Sequence, residues 1–316
     1  DILFSSISLS PSNSYFQLLN FTSLLILVFI LNMIFYTDRH KERIYLFLSF
    51  IGFLTSVFAI IIYLNGNPNF LFFKNSYYQK SSTGFFVNRT VFSIFLLFCI
   101  IASLEFLKNL DQIKYDKKKD NFFIKIYIRI FIIFITIGII TSFSRIGNFL
   151  LFITVLSYLI NEFYYSKEKN KSFLNIILLI IVFDIIILGL YFGSSELIDR
   201  FLFLKEELAL VNSTDLNLNR FQIAKFGLTQ FYDFKFFGYG AGSFETLFQI
   251  NFIDLNNFYA NHAHSDLVEF IGEFGLIGFT FLFISLLGFI LNIDNYSFLN
   301  FILAIYLVVL LFFDFS

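Results

Sequence analysis

Eight long apolar runs separated by polar segments set the register of this chain. They cover about Phe16–Tyr36, Ile44–Leu64, Thr90–Leu107, Ile126–Thr141, Ile146–Tyr165, Phe173–Phe192, Leu267–Leu291 and Phe298–Phe313. A helix needs roughly 20 apolar residues to cross a bilayer core, and a buried backbone in lipid must satisfy its own hydrogen bonds. The pattern therefore predicts an all-α fold, a polytopic transmembrane helical bundle. The polar breaks are mostly short: DRHKER at 38–43, the loop 65–89, KNLDQIKYDKKKDNFFIK at 108–125, the TSFSR tip ending at Arg145, and SKEKNKS at 166–172. One break is long, from Gly193 to His264, and carries helical signals of its own. Glu196–Val211 has near-helical apolar spacing, and Asp215 can cap a second helix that carries Arg220 and runs to Tyr232. FFGYGAGSFETLFQI then places glycines at 238, 240 and 242 before Ser243, a good N-cap. No strand precedes this GxGxG, so it is not a dinucleotide fingerprint. It reads as a glycine turn entering a short helix, with a backbone nest for a phosphate as the weaker alternative.

Lysines and arginines orient such a bundle. The turns at 38–43, 108–125 and 166–172 are rich in both and fall on one side, which the basic bias assigns to the cytoplasm. The loops at 65–89, 142–145 and 193–264, and both chain ends, then face outward. Lys74, Lys80, Arg89, Arg145, Arg200 and Arg220 lie on that outer side, against the bias, and suggest an anionic ligand there.

Composition agrees. The 316 residues are 58% hydrophobic and 14% charged, against about 25% charged in soluble domains. The chain is expected to be a single integral-membrane domain over 1–316, with 193–264 as a large outer loop within it. The single cysteine, Cys99, lies in an apolar run and excludes a disulfide framework or a thiolate metal site. Phenylalanine occurs 52 times and tryptophan never, a drift across the whole chain that gives no single Phe functional weight.

The polar chemistry gathers at NHAHSDLVEFIGEFGLIG, Asn261–Gly278. His264 stands just before a span and can accept a proton from a hydroxyl; alone it would pass for an interfacial histidine. His262, Asp266, Glu269 and Glu273 join it. Asp266 and Glu269 fit a capping box, and acids in a first turn suit the helix dipole. Glu273 lies deeper, where an ionisable group is costly and an arginine is a fitting partner. Two histidines near an aspartate could instead bind zinc, but the pattern is short and common by chance. Ser142, Ser144 and Arg145 offer donors suited to a phosphate, although a hairpin tip could carry them for topology alone. Arg220 and Arg89 are each open to a bland reading, as a solvated face and a span's first residue. Gly272, Gly275 and Gly278 suit close helix packing or a local break.

Four segments resemble the O-antigen ligase and O-antigen polymerase family of bacterial membrane glycosyltransferases. STGFFVNRT, Ser82–Thr90, is similar to G-x-F-x-N-x-N; TSFSRIGNFL to T-x-SR-x-G; NRFQIAKFGLTQFYDFKFFGYGAGSF to R…D-x-P-x-x-G-x-G-x-x-F; and NHAHSDLVEFIGEFGLIG to H-x-H-N-D-x-L…E-x-G-x-x-G. Thr90 and Ser265 stand where Asn is usual, and Phe236 where Pro is common. The family usually has about twelve spans, so an outward N-terminus fits the loss of leading helices.

The resemblance implies a glycan donor on undecaprenyl diphosphate, and an acceptor that is another lipid-linked glycan or the lipid A core. It implies transfer at the periplasmic face of the bacterial inner membrane, among membrane lipids, with no nucleic acid, no cofactor and no metal. Catalysis would fall to His264, Arg220 and Arg145, with Arg89, His262, Ser144 and Glu273 binding substrate. Arginine forks suit a diphosphate and a neutral histidine suits the hydroxyl proton. The alternative is a multi-pass transporter of an anionic solute or lipid-linked glycan. Its mark would be paired broken helices in two related halves, with ionisable residues at mid-membrane such as Asp184 or Glu105.

The basic bias yields the first test. In a Cys99→Ser background, cysteines placed at Lys41, Lys118 and Lys169 should label from the cytoplasm, and those at Arg145 and Arg220 from outside. External labelling at Lys118 would overturn the arrangement.

Overall fold

The computed structural model describes residues 8–34, 37–68, 81–112, 118–165, 171–186, 220–252, 260–291 and 298–312. Those residues form helices α1 (Pro11–Ile34), α2 (Asp38–Leu64), α3 (Arg89–Gln112), α4 (Lys118–Thr141), α5 (Arg145–Ile160, continued by a π-turn Asn161–Tyr165), α6 (Lys171–Ile186), α7 (Arg220–Gln230), α8 (Phe244–Asn251), α9 (Asp266–Leu291) and α10 (Phe298–Phe312). No strand occurs among them. The described residues of each of the eight expected spans are helical. Six helices are long and apolar enough to cross a membrane: α1 to α5 and α9. The chain is thus a multi-pass helical membrane protein. The expected helix at 196–211, the Asp215 cap and Asp184's side chain lie outside the described residues.

The basic segments are more helical than expected. DRHKER forms the start of α2, and α3 and α4 extend into the 108–125 stretch from both sides. Polar residues at the end of a long helix prolong it into water, where nothing forces a turn.

The chain divides into two compact units, residues 34–202 and residues 1–33 with 203–316. In the first, small residues let α2 to α5 approach closely. A Cβ built at Gly52 would lie 2.5 Å from Cys99 Cβ, and one at Gly138 3.0 Å from Ser56 Cβ. One at Gly147 would run into Ser93. Ser103 Oγ donates to Ser49 Oγ at 2.9 Å, and Tyr158 OH to Glu105 Oε1 at 2.8 Å. The Ser93–Gly147 and Glu105–Tyr158 contacts fix α3 and α5 as parallel neighbours. The starts of α2, α4 and α6 and the ends of α3 and α5 therefore share one end of this unit, the lysine-rich end. Arg89 and Arg145 open α3 and α5 at the other.

The second unit is built around an interruption. α9 breaks at Gly275 (φ 63°, ψ −167°). The loop 235–240 lies along the break and exchanges backbone hydrogen bonds with it. Tyr239 N–H donates to Gly272 O (3.0 Å), and Gly240 N–H to Glu273 O (3.1 Å). In return Leu276 N–H donates to Lys235 O (2.8 Å), and Ile277 N–H to Phe236 O (3.2 Å). Glycine makes the approach possible: at Gly238 (φ +75°) a Cβ would meet the Glu273 carbonyl, and at Gly275 the Phe236 carbonyl. The far side of the loop holds the start of α1. Leu9 N–H donates to Tyr239 O (3.0 Å), and Ser14 Oγ to Ala241 O (2.8 Å). Beneath it Ile223, Tyr239, Phe244, Leu247, Phe248, Ala260 and Ala263 form a core.

The space around two glycines separates backbone strain from collision. Gly66 (φ +78°) has nothing within 4 Å of a built Cβ, so Gly66→Ala should cost about 1 kcal/mol for the left-handed backbone alone. Gly238→Ala adds a clash with main chain and should cost about 3 kcal/mol or more. Apparent Tm in detergent should fall much further for Gly238→Ala; equal falls would mean that the loop does not sit against α9.

Candidate functional site

In the unit of residues 34–202, the STGFFVNRT and TSFSRIGNFL segments meet. Ser82 N–H donates to Thr141 O (2.9 Å), and the two hydroxyls lie 2.8 Å apart. Asn88 starts α3 by accepting from Thr90 N–H at 2.7 Å through its side chain. The α4–α5 tip is tied internally: Ser142 Oγ accepts from Ser144 N–H (3.2 Å), and Ser144 Oγ caps α5 by accepting from Gly147 N–H (3.2 Å). Phe143 between them takes φ 50°, which a bulky residue rarely adopts. Ser144, expected as a phosphate donor, is buried and serves as this cap. Arg145 and Arg89 are both partly exposed. This end of the unit thus presents two arginines at the first residues of two parallel helices, where the dipoles also favour an anion.

In the other unit, the third and fourth segments meet through the α9 break. α7 packs on the HAH stretch: a Cβ at Gly227 would lie 3.0 Å from Val268 and 3.7 Å from Ala263. Arg220 opens α7, three and seven residues before Ile223 and Gly227. Ala263 is fully buried while His262 is exposed and His264 partly so. Core packing of the alanine thus fixes where both histidines emerge. His264 takes φ 56°, a left-handed backbone held without glycine. Of all described non-glycine residues only Asn67, Phe143 and His264 have positive φ, and two of the three fall in candidate motifs.

The acids differ in their duties. Glu269 reaches back beyond the expected capping box. Its Oε1 lies 2.9 Å from His262 Nδ1, and its Oε2 accepts from Ala263 N–H at 2.9 Å. Among the described residues no three His, Cys, Asp or Glu side chains gather as metal ligands would. Glu273 is buried, with the backbone N–H groups of Gly242 and Ser243 near its carboxyl group, whose Oε1 has no hydrogen-bond partner. The glycine loop therefore lies against the protein's own carboxyl group. Ser243 opens α8 with no side-chain cap bond; its hydroxyl lies 3.2 Å from Ser8 Oγ instead.

Sequence reasoning missed Tyr239, which is fully buried with an unpartnered OH. Burial, with the Glu273 and Glu269 carboxylates nearby, pushes its phenol far above the ordinary range, so it stays protonated. Its setting between Gly238 and Gly240 was the one visible sign.

Arg89, Ser144 and Arg145 thus lie in one unit, and Arg220, His262, His264 and Glu273 in the other. Residues 130–284 match the family model described as O-antigen ligase. The matched stretch holds every candidate residue except Arg89. No curated protein and no solved structure matches the chain.

The Glu273 contact is testable apart from any activity. A glutamine keeps the shape but offers one acceptor and brings an NH2 toward the loop's donors. Leaving a buried donor without its acceptor costs about 1–3 kcal/mol. Glu273→Gln should lower apparent Tm and speed proteolysis within 236–243. Unchanged cleavage there would show that the carboxylate does not hold the loop.

Proposed function

We propose that this chain, which belongs to the O-antigen ligase family and is a multi-pass membrane glycosyltransferase, moves a glycan from undecaprenyl diphosphate to an acceptor hydroxyl at the periplasmic face of the inner membrane. The acceptor is the lipid A core or another lipid-linked glycan. The observation that carries this reading is the pairing of Arg89 and Arg145 at the parallel N-termini of α3 and α5. Two guanidinium groups and two helix dipoles at one end suit a diphosphate better than a neutral ligand.

In this reading Arg145 and Arg220 offset the charge that grows on the diphosphate as the glycosidic C–O bond breaks. Arg89 contributes to donor binding, as do Ser144 through the tip it caps and Glu273 through the loop it holds. His264 takes the acceptor hydroxyl's proton as the new C–O bond forms at the anomeric carbon. His262 binds the acceptor beside it. The arginines replace a divalent cation, so transfer is metal-independent and persists in EDTA.

The broken α9 brings the transporter reading forward, because transporters bind substrate at such interruptions. Here the flanking groups are taken by the loop 235–240, and Glu105 is engaged by Tyr158. Neither is left to a solute, which favours the transferase.

A paired measurement tests the assignment: binding of a labelled lipid-linked glycan, and its transfer to an acceptor. His264→Ala should bind donor normally and lose about 10²–10⁴-fold in transfer. Arg220→Ala should weaken both, and Arg220→Lys should restore only part, since lysine lacks the planar fork. Transfer at the parent rate by His264→Ala would sink the mechanism. Binding without transfer by the parent would favour the transporter.

A further inference from the structure

The pair formed by Glu269 and His262 has the form of an oriented histidine. A carboxylate only accepts hydrogen bonds, so the 2.9 Å contact to His262 Nδ1 places the hydrogen on Nδ1. In the neutral ring Nε2 is then the acceptor. The ring is placed to use it: the His262 side chain is 49% exposed, while Glu269 is 19% exposed. The other carboxylate oxygen is not spare. It accepts from Ala263 N–H, the residue that anchors the segment in the core, one position before the left-handed His264. A single side chain one turn into α9 therefore sets a ring tautomer and pins the backbone between the two histidines. A helix cap alone would need neither a ring partner nor this span, because the first-turn donors lie at 266–269 and not at Ala263.

We propose that Glu269 is a positioning residue for glycan transfer: it holds His262 as the Nδ1–H tautomer, so that Nε2 accepts a hydrogen bond from a hydroxyl of the acceptor sugar next to the one that His264 deprotonates. The inference rests on the transferase reading above and adds to it the means by which the acceptor is oriented. No proton changes hands at His262. The hydroxyl bound at Nε2 keeps its hydrogen, while a neighbouring hydroxyl of the same sugar attacks and gives its proton to His264. Orientation of this kind acts on the reacting geometry more than on donor affinity.

The chain has three histidines, His40, His262 and His264, so ¹⁵N-histidine spectra of the protein in liposomes can be assigned with His40→Gln and His264→Gln. At neutral pH the parent should show His262 with hydrogen on Nδ1 and a bare Nε2. Glu269→Gln, whose amide oxygen can accept the same bond, should keep that pattern. Glu269→Ala should lose it, and Nε2–H should appear. In transfer assays Glu269→Ala should lower kcat at least about tenfold, with donor KM changed less than about twofold, and Glu269→Gln should recover most of the loss. In a His262→Ala background, Glu269→Ala should add little. A parent His262 with hydrogen on Nε2, or on both nitrogens, overturns the proposal whatever the activity. So does an equal loss in the His262→Ala background, which would leave Glu269 as a cap for Ala263 alone. If the parent shows the expected tautomer but transfers no glycan, the transferase reading fails and the positioning duty assigned to Glu269 fails with it.

Discussion

The exchange of four backbone hydrogen bonds between the loop 235–240 and the break in α9 holds the histidine-bearing unit together. A membrane helix that departs from helical geometry strands carbonyl and N–H groups, each costly where water is scarce. The loop supplies the missing donors and acceptors. By lying there it also brings the N–H groups of Gly242 and Ser243 to Glu273, seats Tyr239 in the core and anchors the first residues of α1. α7 and α8 share that core with Ala263, so the position of the HAH stretch depends on the same exchange.

A different principle governs the unit of residues 34–202. There the helices are continuous and packed through small residues, and what matters is direction. Because α3 and α5 run in parallel, their positive ends add at one end, and the sequence places an arginine at each. The lysine-rich helix ends lie at the other end. The same up-and-down path therefore separates cations that orient a membrane protein from cations placed to meet an anion.

Much of this was legible beforehand, and the reasons are physical. Apolar length is a one-dimensional property, so the apolar helices could be found from the chain, six of them long enough to cross a membrane. The turn and short helix at 238–251 were legible because glycine and serine signal local backbone geometry. Gly275 was read as a packing or breaking position, and it breaks α9 while admitting the loop. Partners distant in sequence were not legible. Nothing near Glu273 announces Gly242, and nothing near Ser243 announces Ser8. Glu269 looked like an ordinary first-turn acid because capping rules consider the nearest donors, whereas its oxygens go to the residues before the helix.

The glycines of this chain also limit how far its composition can wander. Phenylalanine has spread to 52 of 316 positions, and lipid-facing helices absorb it easily, since a larger apolar side chain there meets only hydrocarbon. At Gly238 and Gly275 the obstacle to any side chain is another stretch of main chain, which no change of rotamer can move aside. Replacement of one partner residue cannot compensate, because the colliding atoms belong to every amino acid alike. Any residue with a side chain is therefore shut out of these two positions, and the segment that presents the histidines depends on glycine at both.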